Sequence, residues 1–316
     1  VIVYPDSKKA VIFGAGAIGR GFFGQLFFES GYTITFIDAV RELIDAMNSG
    51  SYTVHIADKK PQDILVTGVR ALDAQQAVEV AEGVAQSDLV GVALFQGAPL
   101  ESASQRIAEG MKLRMQRGLT KPLNVIISLN IQHASDIVRP LVYKHLNQAE
   151  QSYCDANLGL VEAVISRMGP PITQEQRRAE PAGIWIESYR TLPLQKSAFK
   201  GGAPEIAGAR LVDDLIPYED MKLFIHNGMH ATCAYLGYAL GYEYIYQAVR
   251  DPWIRSIVEC AGRAAGRALV DKYGIAKGEM DQYVDDLLAR FDNEALKDTV
   301  VRVGRDPMRK LAPKAN

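Results

Sequence analysis

Cysteine is scarce in this chain. Three occur among 316 residues, Cys154, Cys233 and Cys260, far apart and without a CxxC pair. The scarcity excludes a disulfide-framed extracellular module and fits a reducing cytoplasm. Long apolar runs are also missing: none approaches the roughly 18 residues that a membrane-crossing helix needs. The opening Val-Ile-Val-Tyr-Pro-Asp-Ser-Lys-Lys lacks a signal-peptide pattern. Neither sign of charge dominates, since 35 Lys and Arg stand against 37 Asp and Glu. A net charge of -2 gives no reason to expect nucleic acid or an anionic membrane as partner. No short-period repeat and no low-complexity run is present.

What remains is an ordinary globular composition, 48% hydrophobic and 23% charged. The chain is longer than one hydrophobic core usually covers, so two domains are expected. The first opens with the apolar run Ala10-Val-Ile-Phe13, of the kind a buried parallel strand shows. It leads into Gly14-Ala-Gly16-Ala17-Ile18-Gly19, then a helix from 20 to about 30, then a strand over 33–37 closed by Asp38. This is a dinucleotide-binding fingerprint in the context it requires. Gly14 permits the tight turn, Gly16 lets a pyrophosphate approach the backbone, and Gly19 lets helix and strand pack closely, with the anion at the helix N-terminus. Gly14, Gly16, Ala17, Ile18, Gly19 and Asp38 are therefore the candidate cofactor-binding positions. A carboxylate at Asp38 suits the ribose hydroxyls and repels the extra phosphate of NADP, which points to NAD; Arg41 nearby counts the other way.

Alternation continues with helix 41–49, strand 64–67, helix 74–82, strand 88–94, helix 101–116 and strand 124–128, the pattern of a doubly wound parallel sheet. Phe95-Gln-Gly97 is a turn at a strand's carboxyl end, where ligands lie in open α/β sheets. Asn130 is a helix cap or turn residue on one reading and a neutral donor to a reacting oxygen on another. Residues 151–200 are mixed, with strands at 158–165 and 184–189 and a Pro170-Pro171 break. Lys196 and Lys200 lie in a loop that either stays solvated or folds over an anion.

From Pro217 the pattern is largely helical, over 217–240, 243–250, 252–273 and 277–290. A boundary near residue 200 is expected, with 1–200 binding the nucleotide and 201–316 forming a helical substrate domain. The first of these helices carries Lys222-Leu-Phe-Ile-His226-Asn227-Gly-Met-His230. At about 100° per residue, Lys222, His230 and Asn227 share one broad face, with Lys222 and Asn227 far apart on it. A lysine desolvated among Leu223, Phe224 and Ile225 has a pKa nearer neutrality and can exchange a proton with an alcohol or ketone. Asn227 offers an uncharged donor to a developing oxyanion, and His230 can hold either partner. The same residues also read as a snorkelling lysine, surface-lying His226 and Asn227, and an ordinary buried His230. Arg290, Arg302, Arg305 and Arg309 form a basic cluster, either ion-paired or presenting a fork to a phosphate or polyol oxygen. Lys200, Arg302, Arg305 and Arg309 are the candidate substrate contacts.

Two separated patterns, Phe13-Gly-Ala-Gly-Ala-Ile-Gly-Arg-Gly-Phe22 and Lys222-x4-Asn227-x2-His230, together resemble the polyol-specific long-chain dehydrogenases of the mannitol dehydrogenase family. The chain looks most like the shorter members, the mannitol-1-phosphate 5-dehydrogenases. Phe199-Lys-Gly201, Ala234-Tyr-Leu-Gly237 and Asp298-Thr-Val-Val-Arg302-Val-Gly-Arg305-Asp-Pro-Met-Arg309-Lys-Leu311 support a likeness that covers nearly the whole chain. The resemblance implies a Rossmann-type NAD-binding domain followed by a mostly α-helical C-terminal domain, and a metal-independent hydride transfer to or from a small polyol or sugar phosphate. It implies Lys222 as general acid/base, Asn130 and Asn227 as the two amides of an oxyanion clamp, and His230 as the residue that orients substrate and lysine. Mannitol 1-phosphate and fructose 6-phosphate would be the interconverted pair.

The chain departs from the family at Leu129, where an acid is usual, and at Glu294, where a proline is, and it stops before a further helical segment. Within the family, an unphosphorylated ketose or a hexuronate is the alternative substrate. A metal-dependent polyol dehydrogenase would need more than His226 and His230 at i, i+4. A non-catalytic NAD sensor would keep the glycines and Asp38 without needing Lys222, Asn227 and His230.

Overall fold

The computed structural model describes residues 8–308. They divide into two compact units: one runs to residue 56 and resumes over 62–215, and the other joins 57–61 to the chain from 216 onward.

In the first unit six parallel strands lie in the order Val69–Asp73, Tyr32–Asp38, Lys8–Phe13, Leu89–Val92, Leu123–Ile127 and Leu158–Glu162. The order reverses at Lys8–Phe13, which pairs with Tyr32–Asp38 on one side and Leu89–Val92 on the other. The loops after Phe13 and Val92 thus flank the switch point where ligands bind in such sheets. The strands are short apolar runs because both faces are covered. Ala10 and Ile12 join a core with Phe22, Phe23, Leu26 and Phe27. Val11 and Phe13 join the opposite core with Val80, Ile107 and Met111. Each fully buried phenylalanine contributes about 1.5–3 kcal/mol.

The strand expected over 64–67 is Gln62–Thr67, but it does not belong to this sheet. It pairs antiparallel with Ser51–Ile56, which pairs in parallel with Ile184–Ile186. Tyr52, Val54, Ile56, Val66, Ile184 and Ile186 of this small sheet complete the core around Phe22. Gly68, at φ 68°, turns the chain directly from Gln62–Thr67 into Val69–Asp73, so one β-rich run feeds two sheets. The expected boundary near residue 200 also moves. Leu192–Gln195 pairs in parallel with Ala209–Val212, which keeps the intervening loop in the first unit, and the division falls after Leu215.

The second unit is helical: 216–239, Ile245–Arg250, Pro252–Tyr273, Lys277–Phe291 and Val300–Val303. Asp251 caps Pro252–Tyr273 by accepting from the Trp253 and Ile254 amides at 2.8 and 3.1 Å, and Gly274 ends it at φ 66°. Small residues on that helix let the segment bearing Lys222 come close. A Cβ at Gly262 would lie 2.4 Å from Met229 Sδ, whereas one at Gly266 would only touch Ile225 Cδ1, at 3.9 Å. Among the described residues no helix is long and apolar enough to cross a membrane.

Candidate active site

The first unit holds the glycine-rich turn. The Gly14 amide donates to Ile37 O at 2.8 Å, and its φ of 87° suits glycine. A Cβ at Gly19 would fall 1.8 Å from Gly14 O, whereas one at Gly16 would meet nothing within 4 Å. Gly16 and Ala17 are exposed and Ile18 half-buried, so the first-turn amides of the helix border open space of the kind an anion fills. Asp38 holds the turn: Oδ2 accepts from the Ala15 amide at 2.7 Å, and Oδ1 accepts from Ala39 and Val40 at 2.8 and 3.0 Å. A carboxylate has about four acceptor sites, which leaves capacity for ribose hydroxyls. Arg41 is ion-paired with Asp45 at 3.0 Å. The residues present fit a dinucleotide.

The helix leaving this turn begins with a π-helical turn, Gly19–Gly24, before the α-helical Gln25–Glu29. Two carbonyls of that turn take outside donors: Arg20 O accepts from Tyr52 Oη and Gly21 O from Arg167 Nη1, each at 2.7 Å. The Arg20 side chain reaches both ways, from Nε to Ala15 O and from Nη1 to Ala182 O, each at 2.6 Å. Arg20 is a residue that sequence reasoning missed, because its partners are backbone carbonyls with no sequence signature.

Asn130 lies exposed in a bend beyond the carboxyl end of Leu123–Ile127. It does not cap the following helix, Ala134–Tyr143. The Glu162 carboxylate does so, accepting from the Ala134 and Ser135 amides at 3.2 Å each and from Ser135 Oγ at 2.5 Å. Lys200 is exposed, and its backbone N–H and C=O are both held by the Asn124 side chain, at 2.9 and 3.1 Å.

In the second unit, Met221–Asn227 is a π-helical turn between α-helical Ile216–Asp220 and Gly228–Ala239. This corrects the wide angular spread expected between Lys222 and Asn227. At α-helical pitch they would stand about 140° apart. A π turn closes i→i+5 hydrogen bonds, and five residues is the separation of Lys222 and Asn227, so the two side chains fall on nearly one face. His230 follows one ordinary turn later on the same side. Burial lowers the Lys222 amine to about 8, with Glu219 opposing the shift. Phe224 is 53% exposed and contributes little to that desolvation.

His226, read from spacing as a surface residue, is buried, and burial pushes its pKa well below 6.5. His230 stacks on Phe291 with ring centroids 4.7 Å apart, and its Nε2 lies 3.3 Å from Asp298 Oδ2. Arg302, whose side chain is 42% exposed, closes a fork on the same carboxylate, Nε to Oδ1 at 2.7 Å and Nη2 to Oδ2 at 2.6 Å. Arg305 is exposed, and Arg309 lies outside the described residues. Among the described residues no three His, Cys, Asp or Glu side chains gather as a metal site requires.

Residues 8–208 match the family profile of the mannitol dehydrogenase Rossmann domain, and 214–315 match that of the mannitol dehydrogenase C-terminal domain. The chain belongs to the mannitol dehydrogenase family. It is 35% identical over 305 residues to the mannitol-1-phosphate 5-dehydrogenase of Caldanaerobacter subterraneus subsp. tengcongensis, covering 96% of this chain and 78% of that protein. It is 37% identical over 306 residues to the enzyme of the same name from Anoxybacillus flavithermus, covering 96% and 79%. Its fold is similar to that of Pseudomonas fluorescens mannitol 2-dehydrogenase, solved with NAD and D-mannitol, with a TM-score of 0.75 at 17% identity over 94% of this chain and 71% of that one. The mannitol dehydrogenase architecture, a Rossmann-type sheet followed by a helical C-terminal part, is the one the sequence predicts.

Proposed function

We propose that this chain is an NAD-dependent polyol dehydrogenase that interconverts mannitol 1-phosphate and fructose 6-phosphate. The observation that carries the reading is an amine at Lys222 with a pKa of about 8, on the same helix face as Asn227 and His230. The names of relatives at 35% and 37% identity support the substrate pair.

The nucleotide that the glycine-rich turn would hold would supply the hydride chemistry, as acceptor in its NAD form and as donor in its NADH form. Neutral Lys222 takes the hydroxyl proton during oxidation, and its ammonium form returns it during reduction. One pH unit below its pKa roughly a tenth of the amine is neutral, enough to act in both directions near neutrality. Asn227 and Asn130 donate amide hydrogens to the oxygen on which charge develops, and neither titrates while doing so. His230 orients substrate and lysine. Gly14, Gly16, Ala17, Ile18, Gly19 and Asp38 hold the nucleotide, and the pairing of Arg41 with Asp45 favours NAD over NADP. Lys200 and Arg305 are the proposed contacts for the substrate's phosphate. The cytoplasm suits three unpaired thiols, two of them buried.

The test is a substrate panel followed by NADH absorbance, comparing mannitol 1-phosphate, mannitol and hexuronates. Mannitol 1-phosphate is expected to give the highest kcat/KM. Lys222→Ala is expected to lower kcat by about 100-fold or more, with the NADH dissociation constant within about twofold of wild type. Turnover that survives the substitution with every substrate would remove Lys222 from the reaction.

A further inference from the structure

The helical unit contains a buried carboxylate that sequence spacing had left out of the reaction. Asp298 is 6% exposed and immediately precedes Thr299, the cap of helix Val300–Val303. Its own carbonyl accepts from the Ile245 amide at 2.8 Å, which fixes the backbone. Its carboxylate meets Arg302 on one side, through the fork at 2.7 and 2.6 Å, and His230 Nε2 on the other at 3.3 Å. Phe291 packs flat on the imidazole, with the two rings inclined by 13°. Burial alone would raise the Asp298 carboxyl, but His230 and Arg302 hold it below the ordinary range, so it is ionised at neutral pH.

An ionised carboxylate only accepts hydrogen bonds. Facing Nε2, it favours the imidazole tautomer with its proton there and leaves Nδ1 as the lone-pair nitrogen. The 3.3 Å separation is long for a charge-assisted bond and the contact falls outside hydrogen-bond geometry, so Nε2 is buried beside the carboxylate without a formed bond to it or to any other acceptor among the described residues. Contacts of this kind commonly tighten when substrate binds. The Arg302 fork fixes the carboxylate plane, so both faces of the arrangement are set before substrate arrives.

We propose that Asp298, held by Arg302, is a positioning residue that fixes the tautomer and ring orientation of His230, so that Nδ1 is the nitrogen left for substrate or Lys222. This rests on the reading of His230 as the orienting residue. It also gives Arg302 a different role from the one its place in a basic cluster suggested: it serves the imidazole, not the substrate's phosphate.

The test is a ring 15N–1H correlation spectrum of the full chain at a pH where the imidazole is neutral, with the His230 signals assigned by their loss in His230→Ala. Wild type is expected to show the Nε2–H tautomer, and Asp298→Asn a mixture. In parallel, kcat of Asp298→Asn is expected to fall roughly ten- to a hundredfold, and the same substitution in a His230→Ala background is expected to have little further effect. Should Asp298→Asn fold poorly by near-UV circular dichroism, Arg302→Gln supplies the second arm. A positioning role lowers kcat and leaves KM for mannitol 1-phosphate unchanged, whereas a phosphate contact raises KM. An unchanged tautomer in Asp298→Asn, an equal loss of kcat without His230, or a KM-only effect at Arg302 overturns the proposal. If wild type turns over no polyol, the functional reading fails while the tautomer measurement still decides this one.

Discussion

A buried amine that must shed its proton near neutrality weakens the fold that houses it. Lys222 falls from 10.5 in the unfolded chain to about 8 when folded. Between those values the unfolded chain binds more protons, so this group makes stability rise with pH across the window and imposes its full penalty below it. Lys222→Met is therefore expected to raise the urea midpoint at pH 7 while abolishing turnover; a lowered midpoint would show that contacts made by the amine outweigh its desolvation. His226 acts at the other end of the scale. Burial holds its pKa well below 6.5, so the unfolded chain takes up a proton first and stability falls as pH drops below 6.5. His226→Leu is expected to shrink the difference between urea midpoints at pH 7 and pH 5. That Lys222, Asn227 and His230 lie on one helical segment was legible in the sequence, because the three are close along the chain. Arg20 and Glu162 were not, since they act on distant backbone. Asp298 left a trace, its i, i+4 spacing to Arg302, but nothing local tied it to His230.

At the level of elements, each unit carries a π-helical turn at its candidate functional segment, Gly19–Gly24 and Met221–Asn227. Such turns are concentrated at functional sites because they re-aim side chains within a helix. Hydrophobic periodicity cannot reveal them, which is why the spread of Lys222 from Asn227 was misjudged. By contrast, Pro252–Tyr273 was readable to the residue from Asp251, Pro252 and Gly274. The helices Gln148–Asn157 and Gln174–Ala179 stand outside the periodic pattern, although Asn147 with Glu150 and Thr173 with Gln176 form capping boxes. Both bury little, so no apolar stripe drew attention to them. At the glycine-rich turn, the Cβ of Gly19→Ala would collide with the Gly14 carbonyl at 1.8 Å, and backbone cannot yield as a side chain can. NADH affinity measured by fluorescence titration is expected to fall about tenfold or more. Gly278→Ala, which meets nothing within 4 Å, is the control expected to bind as wild type. Equal affinities in the two variants would show that Gly19 is not needed for close packing there.

The whole molecule was half legible. The doubly wound order follows from alternating strands and helices, and the helical second part from the loss of that alternation. The excursion of residues 57–61 into the helical unit has no counterpart in composition. It is fastened by the buried Asn293 side chain, whose Nδ2 donates to Ala57 O at 2.8 Å, and by Lys59 beside Asp292 at 3.5 Å. The exposed ion pair adds little. Asn293→Ala leaves a buried carbonyl without its donor and is expected to cost about 1–3 kcal/mol in urea unfolding; a loss indistinguishable from zero would mean water replaces the amide.

The chain therefore passes between its units after residues 56, 61 and 215, not at a single joint. A gene fusion that transplanted the helical half from residue 216 would inherit a body missing one of its own pieces, stranded upstream in the donor. Chimeras between relatives should remain sound only when both segments come from one parent, and homologous recombination within this gene should carry the signature of that linkage.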